Sequence, residues 1–157
     1  MSANSLTLNL CDADHTARCA QLLAPLLGPG DVILLEGDVG AGKTHFARAL
    51  IQSILLALED VPSPTFTLVQ SYETTVGPLW HADLYRLTSV YEVEELGLTE
   101  AFENAICLVE WPDRLGLLIP PQALRITLET GSGDDIRVLT ARWSAPTWDQ
   151  RLKVWRT

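Results

Sequence analysis

The sequence predicts an α/β fold in which a mixed β-sheet is flanked by helices in a three-layer arrangement. Strand and helix patterns alternate as β-α-β-α in the first half of the chain, and several strands follow in the second half. Two short runs, residues 32–35 and 105–109, are entirely apolar, which is typical of strands that are buried on both faces. The composition changes sharply nowhere, so we expect a single domain over residues 1–157.

The first half of the chain contains two predicted strand–helix pairs. Residues 5–10 alternate between apolar and polar types, which indicates a strand, and Asp12 or Asp14 can cap the helix that follows. The glycines and proline at 28–30 form a turn before the apolar strand at 32–35. Apolar residues at helical spacing come after a glycine-rich segment. We therefore expect helices from about residue 12 to 27 and from about residue 43 to 58.

The second half contains mostly strand patterns. The two prolines within residues 61–64 exclude a helix there, because each also restricts the residue before it. Ser89 and Glu92 form a capping-box pattern before a short acidic helix, and Thr147 can begin a similar pattern before a last helix. The glycines at 131–134 indicate a hairpin turn. Strands are expected at residues 65–72, 79–84, 105–109, 124–128 and 136–140.

The chain is acidic, with a formal net charge of −9 over its 157 residues. Between residues 49 and 113, Arg86 is the only lysine or arginine, against eleven acidic residues, which argues against a nucleic-acid groove in that region. From residue 137 onwards there are five basic residues and one acid. This basic tail could contact phosphate or an acidic partner, although a solvated helix face is the simpler explanation.

Other features are typical of a protein of the cytoplasm. The three cysteines, Cys11, Cys19 and Cys107, are an odd number without metal-type spacing, so we expect reduced thiols. The N-terminus lacks the basic and apolar regions of a signal peptide, and no apolar run approaches the roughly 20 residues of a membrane span. We predict a cytoplasmic location and no membrane partner.

Residues 37–44, Gly-Asp-Val-Gly-Ala-Gly-Lys-Thr, match the G-x-x-x-x-G-K-[ST] pattern of a phosphate-binding loop. Glycines allow backbone N–H groups to turn towards one anion, and the N-terminus of the following helix adds its positive dipole. Lys43 can reach the β- and γ-phosphates, and the Thr44 hydroxyl can ligate Mg²⁺. Because the pattern lies between a buried strand and a helix, we expect ATP or ADP with Mg²⁺ here and a P-loop NTPase-like fold. The predicted nucleotide-binding residues of the loop are Asp38, Val39, Gly40, Ala41, Gly42, Lys43 and Thr44.

Phosphoryl chemistry needs a further metal ligand, usually a carboxylate at the end of a strand beside the phosphate-loop strand. Glu110 ends one apolar run and Asp83 ends a weaker strand pattern, so both are candidates. The alternative for each is a carboxylate that faces solvent at a strand end. Glu36 is less suitable, because it lies on the wrong side of Gly37 to reach the metal.

The segment 63–69, Ser-Pro-Thr-Phe-Thr-Leu-Val, has the position of a switch loop, in which a threonine senses the γ-phosphate and the metal. Thr65 is the candidate, and a rigid start of a strand is the alternative. Trp111 follows Glu110 and is either core packing or an aromatic platform for a base or a partner side chain. His81 lies two residues before Asp83, and the sequence leaves its role open.

Five segments of the chain resemble, in the same order, the bacterial TsaE (YjeE) family. The phosphate loop is common to many families, but the Ser-Pro-Thr segment together with the later Glu-Trp pair is much more specific. The chain has His45 where the family often has Thr or Ser, and Ala82 where it often has Phe; neither change removes a phosphate or metal group. The segments are 37–44, 61–69 (Val-Pro-Ser-Pro-Thr-Phe-Thr-Leu-Val), 81–87 (His-Ala-Asp-Leu-Tyr-Arg-Leu), 94–98 (Glu-Glu-Leu-Gly-Leu) and 108–114 (Leu-Val-Glu-Trp-Pro-Asp-Arg).

The resemblance implies a cytoplasmic ATPase needed to make N6-threonylcarbamoyladenosine at position 37 of tRNA. The family acts with the proteins TsaD and TsaB, which transfer the threonylcarbamoyl group, and its ATP hydrolysis supports turnover of that complex. The sequence leaves open whether the basic tail contacts tRNA directly or whether the contact with tRNA is indirect. By motif match, Thr44 and Glu110 are the implied metal ligands, and Lys43, Asp83 and Glu110 are the implied catalytic residues. Thr65 and Trp111 join the implied nucleotide-binding residues.

Three other functions compete with this interpretation. Guanine readout by a GTPase normally uses an N/T-K-x-D segment, which a chain with lysines only at 43 and 153 does not contain, so adenine is preferred. A small-molecule kinase needs cationic groups around the transferred phosphoryl group, and the middle of the chain offers only Arg86. A nucleotide-dependent switch with negligible hydrolysis stays open, because no arginine finger is evident. We therefore expect slow hydrolysis in isolation, with a partner supplying the missing cation.

Overall fold

A computed structural model describes residues 4–64, 67–133 and 135–156 of the chain. The described residues form a mixed β-sheet with helices packed against it. The strands are β1 (Asn4–Leu10), β2 (Val32–Glu36), β3 (Val69–Thr74), β4 (Gly77–Asp83), β5 (Ile106–Glu110), β6 (Leu124–Thr130) and β7 (Arg137–Trp143). The α-helices are α1 (Ala13–Leu23), α2 (Lys43–Ile54), α3 (Val90–Glu95), α4 (Leu98–Asn104) and α5 (Thr147–Arg151), with 3₁₀ segments at Ala24–Leu26, Pro112–Leu118 and Leu152–Trp155.

The seven strands lie in the order β1-β7-β6-β2-β5-β4-β3. The four central strands, β6, β2, β5 and β4, are parallel to one another. Strands β7 and β1 on one side and β3 on the other pair antiparallel with their neighbours. The prediction of an α/β fold with a mixed sheet is therefore confirmed. No helix in the described ranges is both long and apolar enough to cross a membrane.

The parallel strands are covered on both faces of the sheet. Ile33 and Leu35 of β2 lie in a buried cluster with residues of α1, α2 and α5. Val32 and Leu34 lie in a second buried cluster, with residues of α3, α4 and the 3₁₀ segment at Pro112–Leu118. All four side chains are at most 1% exposed. The run at 32–35 is continuously apolar because successive side chains point to opposite faces and both faces are packed.

The register of the parallel strands brings their carboxyl ends together at one edge of the sheet. Asp83, the last residue of β4, pairs with Glu110, the last residue of β5. Glu110 also pairs with Leu35 of β2, and residues 37–42 leave β2 at the same edge before α2 begins. The carboxyl ends of strands in open α/β sheets are the usual place for ligands.

The sequence-based prediction is wrong about the end of α2 and about the start of β3. Helix α2 ends at Ile54, because Leu55 is extended and bridges to Thr74 of β3. Strand β3 begins only at Val69, because Leu68 has a positive φ of 69° that a strand cannot contain. The Leu68 N–H instead donates to the carbonyl of Pro64 at 2.7 Å.

The helix caps agree with the predictions only in part. Asp12 caps α1, since its Oδ1 accepts the N–H of His15 at 2.8 Å. Ser89 makes no side-chain cap for α3. Glu92 is bonded instead to Thr88, whose hydroxyl donates to its Oε1 at 2.8 Å. The predicted capping box is therefore replaced by a bond between side chains four residues apart.

The remaining helix ends depend on proline and glycine. Helix α1 becomes a 3₁₀ segment where Pro25 interrupts its hydrogen bonds, and α5 begins at Thr147 itself, after Pro146 and without a side-chain cap. The sequence pattern predicts one acidic helix where the structure has two. Gly97, with φ of 82°, separates α3 from α4.

Candidate nucleotide site

The loop at residues 37–42 is packed closely against the sheet at its first residue. Gly37 has φ of 144°, and a Cβ there would lie only 2.4 Å from the backbone oxygen of Leu128 on β6. Gly40 and Gly42 also have positive φ values, but a Cβ on either would meet nothing within 4 Å. Gly37 therefore allows the close approach to β6, whereas the other two glycines allow the loop to bend.

Lys43, the first residue of α2, is folded back over this loop. Its Nζ donates to the carbonyl of Gly37, lies 3.5 Å from the carbonyl oxygen of Asp38, and is 3.6 Å from the centre of the Trp111 ring. The side chain is only 5% exposed. Burial lowers the pKa of the ammonium group, and nearby carboxylates, Glu110 first, partly oppose that shift. Phosphate oxygens could replace the carbonyl partners.

The side chains of Thr44, Glu110 and His81 form one chain of hydrogen bonds, which runs from the partly exposed Thr44 to the buried His81. The Thr44 hydroxyl donates to Glu110, at 2.9 Å from Oε1 and 3.1 Å from Oε2. His81 Nε2 lies 2.7 Å from the same Oε2. Glu110 is 2% exposed and His81 is fully buried. Glu110 is thus held by polar groups on two sides and does not face solvent.

Asp83 lies beside this chain of groups and is also buried. Its Oδ1 accepts the backbone N–H of Tyr85 at 3.0 Å, and its own N–H donates to the carbonyl of Leu68 at 2.9 Å. The second bond brings the end of the predicted switch segment to the edge of the site. Thr65, the predicted switch residue, lies outside the described residues.

Trp111 forms a wall of the site and is absent from both apolar clusters. Its backbone has a positive φ of 59°, which turns the chain immediately after β5. Its ring lies 4.8 Å from the ring of Tyr85, at an interplanar angle of 52°, and contacts the Lys43 ammonium. Among the described residues it therefore contributes an aromatic surface to the site and does not pack in the core.

These groups line a cleft with a volume of about 440 Å³, which is within the range of small-molecule sites. Among the described nucleotide-binding candidates, two do not line it: Ala41 is buried in the apolar core, and Asp38 lies with its carbonyl oxygen 3.5 Å from Lys43 Nζ. His45, which the sequence places on the helix, and Tyr85 are additional lining residues. The lining consists of Val39, Gly40, Gly42, Lys43, Thr44, His45, Asp83, Tyr85, Glu110 and Trp111.

Arg137, the first residue of β7, contacts the loop from outside the cleft. Its Nε donates to the carbonyl of Ala41 at 3.1 Å, and its Nη2 lies 3.3 Å from the carbonyl oxygen of Gly40. A trans peptide directs its C=O and N–H to opposite sides. Holding the Ala41 carbonyl outward therefore directs the N–H of Gly42 to the opposite side. In the sequence, Arg137 stands out only as part of the basic tail, and that feature does not predict its contact with the phosphate loop.

Thr44 and Glu110 fit a Mg²⁺ ion that a nucleotide helps to hold. A hydroxyl and a carboxylate supply the oxygen ligands that this hard cation prefers. In the described part of the chain, no group of three or more His, Cys, Asp or Glu side chains could hold a metal ion alone. Mg²⁺ sites of this class use one or two carboxylates and complete their shell with water and substrate phosphates. Glu36 is ion-paired with Arg125 and does not line the cleft.

Comparisons with known proteins point to one family. The model of the family described as threonylcarbamoyl adenosine biosynthesis protein TsaE matches residues 10–138. The tRNA threonylcarbamoyladenosine biosynthesis protein TsaE of Rickettsia felis is 41% identical over 122 residues, covering 78% of this chain and 71% of that protein. The protein of the same name from Bacillus subtilis is 41% identical over 128 residues, covering 81% and 78%. The crystal structure of Bacillus subtilis YdiB aligns with a TM-score of 0.81 at 29% identity, over 99% of this chain and 97% of that one.

Proposed function

The chain belongs to the TsaE family, and from this premise we propose that it is a single-domain, Mg²⁺-dependent ATPase of tRNA threonylcarbamoyladenosine biosynthesis. It has the P-loop type of fold, acts in the cytoplasm, and supports the turnover of a complex of TsaD and TsaB. Contact with tRNA is indirect. The observation that supports this most strongly is the convergence of Lys43 and Thr44 with Glu110 in one cleft, at the carboxyl end of the parallel strands.

In this proposal the phosphate chain of ATP binds along residues 37–44. Lys43 exchanges its bonds to the carbonyls of Gly37 and Asp38 for bonds to phosphate oxygens. Its burial strengthens such an ion pair, because solvent screens buried charges less. The N-terminus of α2 adds backbone N–H donors and the positive end of the helix dipole.

Thr44 and Glu110 are the residues that hold Mg²⁺ in this proposal. When bound, the ion would neutralise charge on the phosphate oxygens of the transferred group. Glu110 keeps its carboxylate directed at the Thr44 hydroxyl, with which it already makes contacts of 2.9 and 3.1 Å. Trp111 covers the ammonium of Lys43 and limits the access of water to it.

Asp83 and Glu110 are the two carboxylates available to position the attacking water. The variants Asp83→Asn and Glu110→Gln separate their roles, since each removes a charge and preserves the shape of the side chain. The variant that loses hydrolysis and keeps Mg²⁺-dependent nucleotide affinity identifies the water-positioning residue. The variant that loses metal-dependent affinity identifies the metal ligand.

The cleft is poor in cations, which bears on how fast the reaction runs. Among the described residues that line it, Lys43 is the only lysine or arginine. A transferred phosphoryl group usually requires more positive charge, and an added arginine can accelerate hydrolysis by about 10³–10⁵-fold. Hydrolysis is therefore slow in isolation, and a partner supplies a cation. The same observation favours, as a second function, a nucleotide-dependent switch with negligible hydrolysis, and it disfavours a small-molecule kinase.

Calorimetric titration with ADP, followed by a hydrolysis assay with γ-labelled ATP, tests the proposal. We expect saturable ADP binding, and phosphate release that TsaD and TsaB together increase. Lys43→Ala abolishes both, whereas Lys153→Ala, which removes an exposed lysine whose ammonium group donates to Gln150, changes neither. A folded protein without saturable binding refutes the proposal. Label transferred to a metabolite indicates a kinase, and binding without phosphate release, even with both partners, indicates the switch.

A further inference from the structure

His81 is a fully buried polar side chain next to the candidate metal ligands. It lies on β4 opposite Leu108 of β5, two residues before the two strands end at Asp83 and Glu110. Residues two apart on a strand share a face, so His81 and Asp83 are directed to the same side of the sheet. Leu79, two residues earlier on that face, is part of the apolar core. A polar ring at the next such position needs a specific partner to offset its burial.

We propose that His81 is a positioning residue, which fixes the Glu110 carboxylate in the orientation that Mg²⁺ binding requires. This inference rests on the proposed function. His81 Nε2 contacts Oε2 at 2.7 Å, and the Thr44 hydroxyl lies 2.9 Å from Oε1 and 3.1 Å from Oε2. The histidine therefore holds the carboxylate from the core side while the hydroxyl meets it from α2. With the His81 bond in place, rotation of the carboxylate breaks a buried hydrogen bond, which carries a large cost.

The second ring nitrogen indicates which tautomer is present. Nδ1 is buried and has no hydrogen-bond partner among the described residues. A buried N–H without a partner is rarer in proteins than an acceptor that is not fully satisfied. The tautomer with its proton on Nε2 therefore suits this environment, because that proton is then donated to Glu110. His81 contributes one donor to one carboxylate oxygen and does not itself contact the metal.

Residues that orient a metal ligand through a hydrogen bond typically change metal affinity by about 10–100-fold when they are replaced. The pair His81→Gln and His81→Asn tests for this role, because both introduce the same amide at different distances from the backbone. A glutamine amide nitrogen reaches about as far as Nε2, whereas an asparagine amide nitrogen reaches only about as far as Nδ1. Leu79→Ala is the matched control, since it disturbs the same strand face and removes no polar group.

The readout is Mn²⁺ binding to the full chain saturated with ADP, and the concentration of free Mn²⁺ is measured by electron paramagnetic resonance. Thermal unfolding and ADP affinity in the presence of EDTA are measured on the same samples. We expect His81→Asn to weaken Mn²⁺ binding about 10–100-fold, and His81→Gln to restore most of it. Leu79→Ala should lower the melting temperature and leave Mn²⁺ affinity unchanged.

The outcomes separate this inference from the proposed function. If wild-type protein binds no ADP, the proposed function fails and His81 has no such role. If wild-type protein binds ADP and Mn²⁺, and both His81 variants keep wild-type Mn²⁺ affinity, the positioning role alone is refuted. Equal losses in His81→Asn, His81→Gln and Leu79→Ala also refute it, because they show a general effect of disturbing the core. Metal-free ADP affinity should be the same in wild-type and variant proteins.

Discussion

Replacing Gly37 with alanine tests how closely the candidate phosphate loop is packed against the sheet. The new Cβ would lie 2.4 Å from the backbone oxygen of Leu128, whereas ordinary contacts of a Cβ begin at about 3.4 Å. The loop and β6 must therefore separate by about 1 Å. Leu128 cannot move alone, because β6 is paired with both β2 and β7. Gly40→Ala is the matched control, since it also has a positive φ but meets nothing within 4 Å.

The expected magnitude follows from the difference between the two sites. Alanine held at a positive φ costs roughly 1–3 kcal/mol, and both variants bear a cost of this kind. Forcing extra volume into a packed site costs roughly a further 1–3 kcal/mol. Only Gly37→Ala bears this second cost, because a Cβ at Gly40 meets nothing within 4 Å. For a chain of this length each kcal/mol lowers the melting temperature by about 2–4 °C. Gly37→Ala should therefore melt about 2–12 °C below Gly40→Ala.

The assay is thermal unfolding of wild-type protein and the two variants, with ADP affinity measured alongside. Gly37→Ala should also weaken ADP binding more than Gly40→Ala does, because the loop must shift away from β6. Equal melting temperatures for the two variants would contradict the argument. They would show that the loop adjusts without cost and that its contact with Leu128 does not fix its position.

Three further predictions concern charge and burial. Arg137→Gln should weaken ADP binding about tenfold in calorimetry, because it removes charged donors that hold two loop carbonyls; unchanged affinity would show that the loop holds itself. Burial lowers the pKa of Lys43, and a bound phosphate favours the ammonium form of its side chain. ADP affinity should therefore fall as the pH rises, at a pH below the ordinary lysine pKa of about 10.4. An ADP affinity that stays constant up to that pH contradicts this prediction. Burial raises the pKa of the Cys19 thiol, and that of Cys107 to about 12, so a thiol reagent at neutral pH should modify only the exposed Cys11 rapidly in native protein and all three after unfolding.

The parts of the site that are encoded by neighbouring residues could be predicted from the sequence. The phosphate loop is a continuous segment whose glycines, lysine and threonine each have a local role, so its position between β2 and α2 follows from pattern alone. The sequence indicates Asp83 and Glu110 as site residues because each ends a strand pattern, and the carboxyl ends of parallel strands meet. The sequence could not show that Glu110 is buried, and solvent exposure remained an alternative until the structure placed it.

The parts that depend on distant residues could not be predicted. Arg137 reaches Gly40 across 97 positions of sequence, and His81 reaches Glu110 across 29. Those contacts depend on strand order and register, which no local pattern specifies. The predicted end of α2 is wrong for the same reason, because Leu55 does not continue the helix and instead bridges to Thr74 on β3. A local helical pattern continues past that residue, but the tertiary contact prevails over it.

The balance of charge in the cleft connects this structure with the proposed dependence on a metal and a partner. Lys43 is surrounded by the carboxylates of Glu110, Asp83, Asp38 and Asp113, each of which favours its charged form. A polyphosphate that enters the cleft therefore meets one buried ammonium group and the two carboxylates of Asp83 and Glu110. Backbone N–H groups and the helix dipole offset only part of this repulsion. In the proposed function, a cation held by Thr44 and Glu110 would strengthen phosphate binding, and fast hydrolysis would require another cation that the described lining residues do not supply. A protein built in this way would hydrolyse ATP mainly when a partner brings that second cation, which couples the nucleotide cycle to docking.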